Sequence, residues 1–347
     1  MAGAARVAAV VLSLPLVLAG ARAQPAGFPA SLETYFTASI NLTPDERTRL
    51  FAGAPVTRLL DSDPAREVAV FGAVWIAAPI DRYVRAVADI ERFERGDSFL
   101  FTRKISDPPH PEDFAGFQVT DDDFNDLRQC QPSNCAVKIS QEGLDRIRRD
   151  VHWSSPSARA ELDAVMRRLA LEYVNAYRAG GNAELAVYRD KTHPTFVAQE
   201  FESMVGRMPE LTIHLPEVRR YLLEFPRYAL GEARSFLYWQ NVVFGLKPTI
   251  RINHVVITDG PQGAVVASKM IYASHYFWTA LELRVLVPDP ARGQGFWFVN
   301  VNRSRSDGLS GFVGRIVRGT VRRETQDGMD AALRTTKARL EAGDQRP

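Results

Sequence analysis

Residues 296–341 read FWFVNVNRSRSDGLSGFVGRIVRGTVRRETQDGMDAALRTTKARLE, and this stretch decides the fold. Phe296 to Ser304 is rich in aromatic and β-branched residues and has the length of a strand. It passes without a linker into a helix that runs from Asp307 to about Glu341. Working backward, Phe236–Phe244, Ile250–Thr258, Val265–Ser274 and Phe277–Val287 are further strands. Gly245 with Pro248, Asp259-Gly260-Pro261, Gly263, Pro288, Gly293 and Gly295 separate them. Connections of hairpin length make the strands antiparallel. A bent antiparallel sheet closed by a C-terminal helix makes a cup, and the expected class is α+β: a curved sheet wrapped around the last helix.

The helix carries an internal inconsistency. Leu309, Val313, Ile316, Val317 and Val321 share one face, while Arg315, Arg318 and Arg322 share the opposite one. After Glu324 the apolar positions are Met329, Ala332, Leu333 and Leu340, on the arginine side of an ideal helix. Either the helix breaks near Gly328, or its two halves pack on different things. Gly314 and Gly319 are read as letting the helix approach the sheet closely.

Upstream, Val68 to Ala78 is a buried strand stopped by Pro79, and Ile80-Asp81 opens a helix with Tyr83, Val84, Val87, Ile90 and Phe93 at helical spacing. Ser98–Ile105, Phe114–Val119 and Cys135–Ile139 read as further strands. Thr120 with three aspartates caps a short helix. Residues 24–66 form an N-terminal extension with a helix start at Thr43-Pro44-Asp45-Glu46. Residues 141–232 are helical, with an amphipathic helix at Ser157–Ala179 ended by Gly180-Gly181, and stretches around Phe196–Val205 and Glu217–Phe225. This block reads as an insertion without a sheet partner of its own, and the main domain as residues 67–341.

The first 23 residues read as a secretory signal cleaved after Ala23: Arg6, the apolar run Val7–Leu18, then Ala21-Arg22-Ala23. The run is shorter than the roughly 18–20 residues that span a bilayer. Its removal takes Arg6 and Arg22 and no acid, so the formal charge of +2 becomes zero. A neutral chain has no global drive toward nucleic acid. The two cysteines, in Cys130-Gln-Pro-Ser-Asn-Cys135, are expected to pair in an exported protein.

The order strand, Pro79, helix, then meander, then one long C-terminal helix resembles the START-like superfamily, the helix-grip or polyketide-cyclase and lipid-transport group. It also resembles a set of exported bacterial proteins with a similar C-terminal half. Val68–Ala78 with Pro79-Ile80-Asp81, and Phe296–Ser304 with Asp307–Glu341, carry the resemblance. It implies a sheet wrapped on the last helix and an apolar cavity between them, with the helical wall at 309–323. Members bind lipids, sterols or polyketides, and a minority catalyse cyclisation or hydrolysis.

No catalytic motif is present. The histidines form no H-E-x-x-H, and no serine sits in G-x-S-x-G. Gly314 to Thr320 copies a phosphate loop's glycines but lacks its lysine and lies in a helix. No cofactor or metal motif remains. The polar candidates for orienting a ligand are Tyr238, Tyr272, His275, Tyr276, Glu282 and Arg303. Tyr272, Tyr276 and Glu282 share a face only if no bulge or turn intervenes at Ser274–Phe277. Glu282 and Arg284 either grip a head group inside the cavity or form an exposed pair. Arg315, Arg318 and Arg322 either contact an anionic membrane surface or are solvated. Three functions stay open: an exported carrier of an apolar, lipid-like molecule; a cyclase or hydrolase using His275 with Tyr276 or Glu282; and an envelope interaction protein with a filled cavity.

Overall fold

The computed structural model describes residues 27–245, 247–307 and 311–343, with side chains of the last segment from 318 onward. The expected signal segment and Leu309 lie outside these described residues, as do the side chains of Val313, Ile316 and Val317. In chain order come α1 (Ala30–Tyr35), α2 (Pro44–Phe51), β1 (Val56–Leu59), β2 (Glu67–Ile76), α3 (Ile80–Ala88), α4 (Ile90–Phe93) and β3 (Phe99–Lys104). Next are α5 (Asp121–Gln129), α6 (Gln141–Asp150), α7 (Ala158–Gly180), β4 (Val187–Tyr188), β5 (Thr195–Phe196), α8 (Val197–Val205) and α9 (Pro216–Glu224). The chain ends with β6 (Arg234–Phe244), β7 (Lys247–Gly260), β8 (Gly263–Ala273), β9 (Phe277–Pro288), β10 (Phe296–Ser306) and α10 (Gly311–Glu341).

Eight strands form one open, curved antiparallel sheet in the order β1-β2-β10-β9-β8-β7-β6-β3. The first long strand and the last one pair directly, from Phe296 opposite Ile76 to Arg305 opposite Glu67. Local chemistry sets the helix starts. Thr43 and Glu46 form a capping box on α2, Thr120 caps α5 through Asp123 N–H, and Ser140 caps α6 through Gly143 N–H.

Helices cover both faces of the sheet. Val70, Val74 and Ile76 of β2, with Phe298, face α3 (Tyr83, Val84, Val87) and α10 (Met329, Leu333, Leu340). Phe71, Ala73 and Trp75 face the other way, toward α1, α2, α8 and α9. Further along that second face, Leu237, Trp239, Ile250 and Ile252 pack under α6 and α7. A strand covered on both faces is apolar at every position, which is why β2 shows no alternation.

α10 is continuous through Gly328. Its later half lies on β1 and β2: Gln326 donates to Thr57 O, Lys337 to Trp75 O, and Glu341 accepts from Ala77 N–H. Of the two explanations for the shifted apolar stripe, the break is therefore excluded. The close approach comes from the strand. A Cβ on Gly72 would stand 2.8 Å from both Leu333 Cδ1 and Met329 Cγ, whereas one on Gly319 would meet nothing within 4 Å. The reading of Gly319 as a contact glycine is thus corrected.

Other differences are local. Val56–Leu59 adds a strand to the sheet inside the supposed extension, pairing with Leu59 opposite Val70. The helical block holds a two-stranded pair, β4 with β5. Phe114–Val119 and Cys135–Ile139 are not strands. The first follows a 3-10 turn at Pro111–Phe114. The second makes isolated bonds such as Lys138 N–H to Ser274 O and accepts one from Arg189 N–H, which do not build a ladder. Cys130 and Cys135 are joined, with Cα atoms 4.7 Å apart.

Candidate functional site

A cavity of about 470 Å³ lies between α7 and the sheet, on the face away from α10. Met166, Leu169, Ala170 and Tyr173 project from one side of α7. Ile252 of β7 and Tyr272 of β8 form the floor, and Phe117, Ile139, Leu185, Val187 and Tyr188 close the sides. The volume falls within the usual range of about 300–1,000 Å³ for small-molecule sites.

The three tyrosines spend their hydroxyls on the scaffold. Tyr173 donates to Ile271 O at 2.7 Å and accepts from Ala186 N–H; Tyr188 accepts from Ala273 N–H; Tyr272 donates to Lys138 O at 3.1 Å. Burial pushes all three phenols up, so they stay uncharged. What remains for a ligand is ring face and methyl surface. Polar groups gather at the rim: Ser140 and the exposed carboxylates Glu142, Glu172 and Glu184. Arg146 pairs with Glu142 and Glu172, so three acids and one base leave the mouth net acidic.

The six candidate residues lie in four places. Tyr272 alone lines this cavity. The pairing of β7 with β8 slips between Ile252/Tyr272 and Asn253/Met270, leaving Ile271 as a bulge. A bulge reverses the alternation, so Tyr272 faces α7 while Ser268 and Met270 face the α10 side. Tyr272 and Glu282 therefore do not share a face, for a reason outside the Ser274–Phe277 span. A turn follows as well: Tyr276 has φ +57° and accepts from Lys247 N–H at 2.9 Å.

His275 is buried in the connection between β8 and β9. Nε2 lies 3.0 Å from Asp123 Oδ1 and Nδ1 3.1 Å from Ala136 O, so both ring nitrogens are engaged. Arg303 is buried beneath α8, paired with Glu67. Arg305 bonds the other Glu67 oxygen at 2.9 Å and Glu200 at 2.8 Å. The Glu67 side chain has no exposure.

Tyr238 and Glu282 do share the α10 side, in a charged layer. Tyr238 donates to Glu94 Oε1 at 3.1 Å. The Gln240 amide, oriented with its nitrogen toward Glu94, bridges that carboxylate to Arg251. Burial raises the Glu94 pKa. Arg284 forks onto Glu282, which also accepts from Asn300 at 2.9 Å. The Glu282–Arg284 pair is thus mostly buried and faces inward, with Arg284 9% exposed. An apolar ligand laid on this layer would strip solvent from charges without replacing it.

Sequence reasoning missed Met166, Ala170, Tyr173 and Tyr188, although the α7 stripe containing two of them was visible as core pattern. No family model matches the chain, and no curated protein is found that it resembles. Among the described residues no three histidine, cysteine or acidic side chains converge on a metal position.

Proposed function

We propose that this chain is an exported, START-like binder of an apolar small molecule, held in the cavity between α7 and the sheet. One observation carries the reading: the cavity walls are apolar, and their three phenol hydroxyls are turned outward onto the backbone. Such walls supply affinity by burial, about 25 cal/mol per Å² of apolar surface removed from water. Below the rim, where Ser140, Glu142, Glu172 and Glu184 stand, they offer no group free for acid–base or nucleophilic work, which favours carriage over catalysis. The acidic mouth repels carboxylates, so the preferred ligand is uncharged or cationic, closer to a sterol than to a fatty acid.

Two features support the START-like reading. The first long strand pairs with the last, and α10 returns across the first strand. The site then differs from the expected one, with the insertion supplying a wall on the opposite face. The disulfide suits an oxidising compartment. Among the described residues, no helix is long and apolar enough to cross a membrane.

The test is retention of a fluorescent sterol against a fluorescent fatty acid, with mass spectrometry of protein from its native host. Ala170→Trp and Ala176→Trp, both on the α7 wall of the cavity, should fill it and abolish retention, while His275→Ala and Glu282→Ala should not. Unchanged retention in both tryptophan variants would move the site elsewhere. If the wild type retains no apolar probe, the binder reading fails.

A further inference from the structure

Lys269 and His254 stand opposite each other on β8 and β7, in the seam between the apolar clusters under α7 and under α8–α9. Lys269 is one of only six lysines in the chain and is wholly buried. Among the described residues it forms no ion pair. Its Nζ donates to Asn182 Oδ1 and lies 3.2 Å from Tyr177 OH and 4.3 Å from the Phe201 ring centroid. Leu281 flanks it on β9. Burial without a counter-charge holds this amine well below the ordinary lysine range. An uncharged amine is a nucleophile, unlike the ammonium that lysine normally presents.

The neighbours form a chain of exchangeable protons. Tyr177 OH lies 2.9 Å from His254 Nδ1, and Tyr221 OH lies 3.3 Å from His254 Nε2. Burial, the dominant cause, pushes His254 down to about 3, so its ring is neutral. His254 also borders a second cavity of about 600 Å³, on the opposite side of α7 from the apolar one, with Phe225, Ser235 and Leu237 on its walls. The Phe225 ring stacks on Tyr177 at 5.3 Å and lies 4.4 Å from His254. Phe225 thus links the cavity wall to Tyr177, the group that meets the amine. Gly181 (φ +64°) lets the Phe225 backbone pack this close, because a Cβ there would meet Phe225 O at 1.7 Å.

We propose that Lys269 is the nucleophile of a covalent site that captures a small aldehyde or ketone entering through this second cavity past Phe225. Nζ attacks the carbonyl carbon and forms a C–N bond, while the carbonyl oxygen takes the Tyr177 hydroxyl proton. The proton lost from nitrogen restores Tyr177. The carbinolamine oxygen then takes a second proton through the same relay and leaves as water, and the nitrogen loses its remaining proton. One amine and one carbonyl become one imine and one water, with no oxidant or reductant. Tyr221 and His254 exchange the relay's protons with the cavity. The site stands independently of the apolar cavity.

The test is reductive trapping. Intact protein is incubated with propanal and sodium cyanoborohydride at neutral pH, then digested and mapped across its six lysines. The adduct should form first on Lys269, faster in Phe225→Ala, and about a hundredfold more slowly in Tyr177→Phe, the usual size of a lost proton-transfer group. Lys269→Met should leave only slow labelling of the exposed lysines. If Lys269 stays unlabelled in both the wild type and Phe225→Ala, the proposal is overturned. If Lys269 reacts but Tyr177→Phe does not slow it, the relay is refuted.

Discussion

Replacing Gly72 with valine tests how the last helix sits on the sheet, because two effects of opposite sign compete there. In a strand, glycine to valine is ordinarily favourable by up to about 1 kcal/mol. At Gly72, however, the first added carbon would stand 2.8 Å from Leu333 Cδ1 and from Met329 Cγ, and 3.0 Å from Met329 Sδ. The strand cannot retreat, since Gly72 is paired with Thr57 on one side and Asn300 on the other. The Met329 and Leu333 side chains, or the helix that carries them, must shift, and overpacking of this kind costs about 1–3 kcal/mol. Because valine adds two methyl groups beyond the clashing carbon, the net change should be destabilising by about 2 kcal/mol, or about 3 °C in melting temperature for a chain of this length. Circular dichroism during heating and urea titration would measure it. Met329→Ala in the same chain should recover part of the loss, with a coupling of at least about 0.5 kcal/mol. Gly328→Ala is the control: a Cβ there meets nothing within 4 Å, so the helix should gain up to about 1 kcal/mol. If Gly72→Val were as stable as wild type, α10 would not be seated on β2.

Three further outcomes are expected. Glu67→Ala removes the carboxylate shared by two buried guanidiniums and should cost about 3–5 kcal/mol in urea unfolding; a loss below about 1 kcal/mol would show that Asp61 O satisfies Arg303 and Glu200 satisfies Arg305 without it. His254 has a depressed pKa in the folded chain, so the unfolded chain binds more protons below its ordinary pKa of about 6.5 and stability falls as pH falls. Between about pH 6.5 and 5 that loss should be about 1.5 kcal/mol, and His254→Gln should remove it; an unchanged pH slope in the variant would assign it elsewhere. Thiol titration of denatured, unreduced protein should find no free cysteine, and reduction should cost about 2 kcal/mol, the closure entropy of so short a loop.

The legible part of the fold was the part written locally. The five C-terminal strands, the strand stopped by Pro79, and the long helix were each bounded by proline, glycine or a cap within a few residues. Val56–Leu59 was missed because four residues with one buried position carry almost no periodic signal. Cys135–Ile139 was misread because its apolar residues fill a loop core rather than a ladder. Of the candidate ligand residues, Tyr272 lines the apolar cavity, and Glu282 with Tyr238 belongs to a charged layer on the opposite face.

By itself, then, the chain's sequence determined the order of its elements, the antiparallel meander, and the closure of Cys130 on Cys135. Those depend on backbone dihedrals, turn chemistry and hydrophobic period, all of which act over a few residues. Which face each side chain takes was decided by the tertiary structure. One bulge at Ile271 turns Tyr272 away from Glu282, and only the pairing of β7 with β8 reveals it. The same holds for Lys269. Its sequence neighbours do not distinguish it from a surface lysine, and its pKa falls well below the ordinary lysine range only because α7, α8 and the sheet together bury it with no ion pair among the described residues.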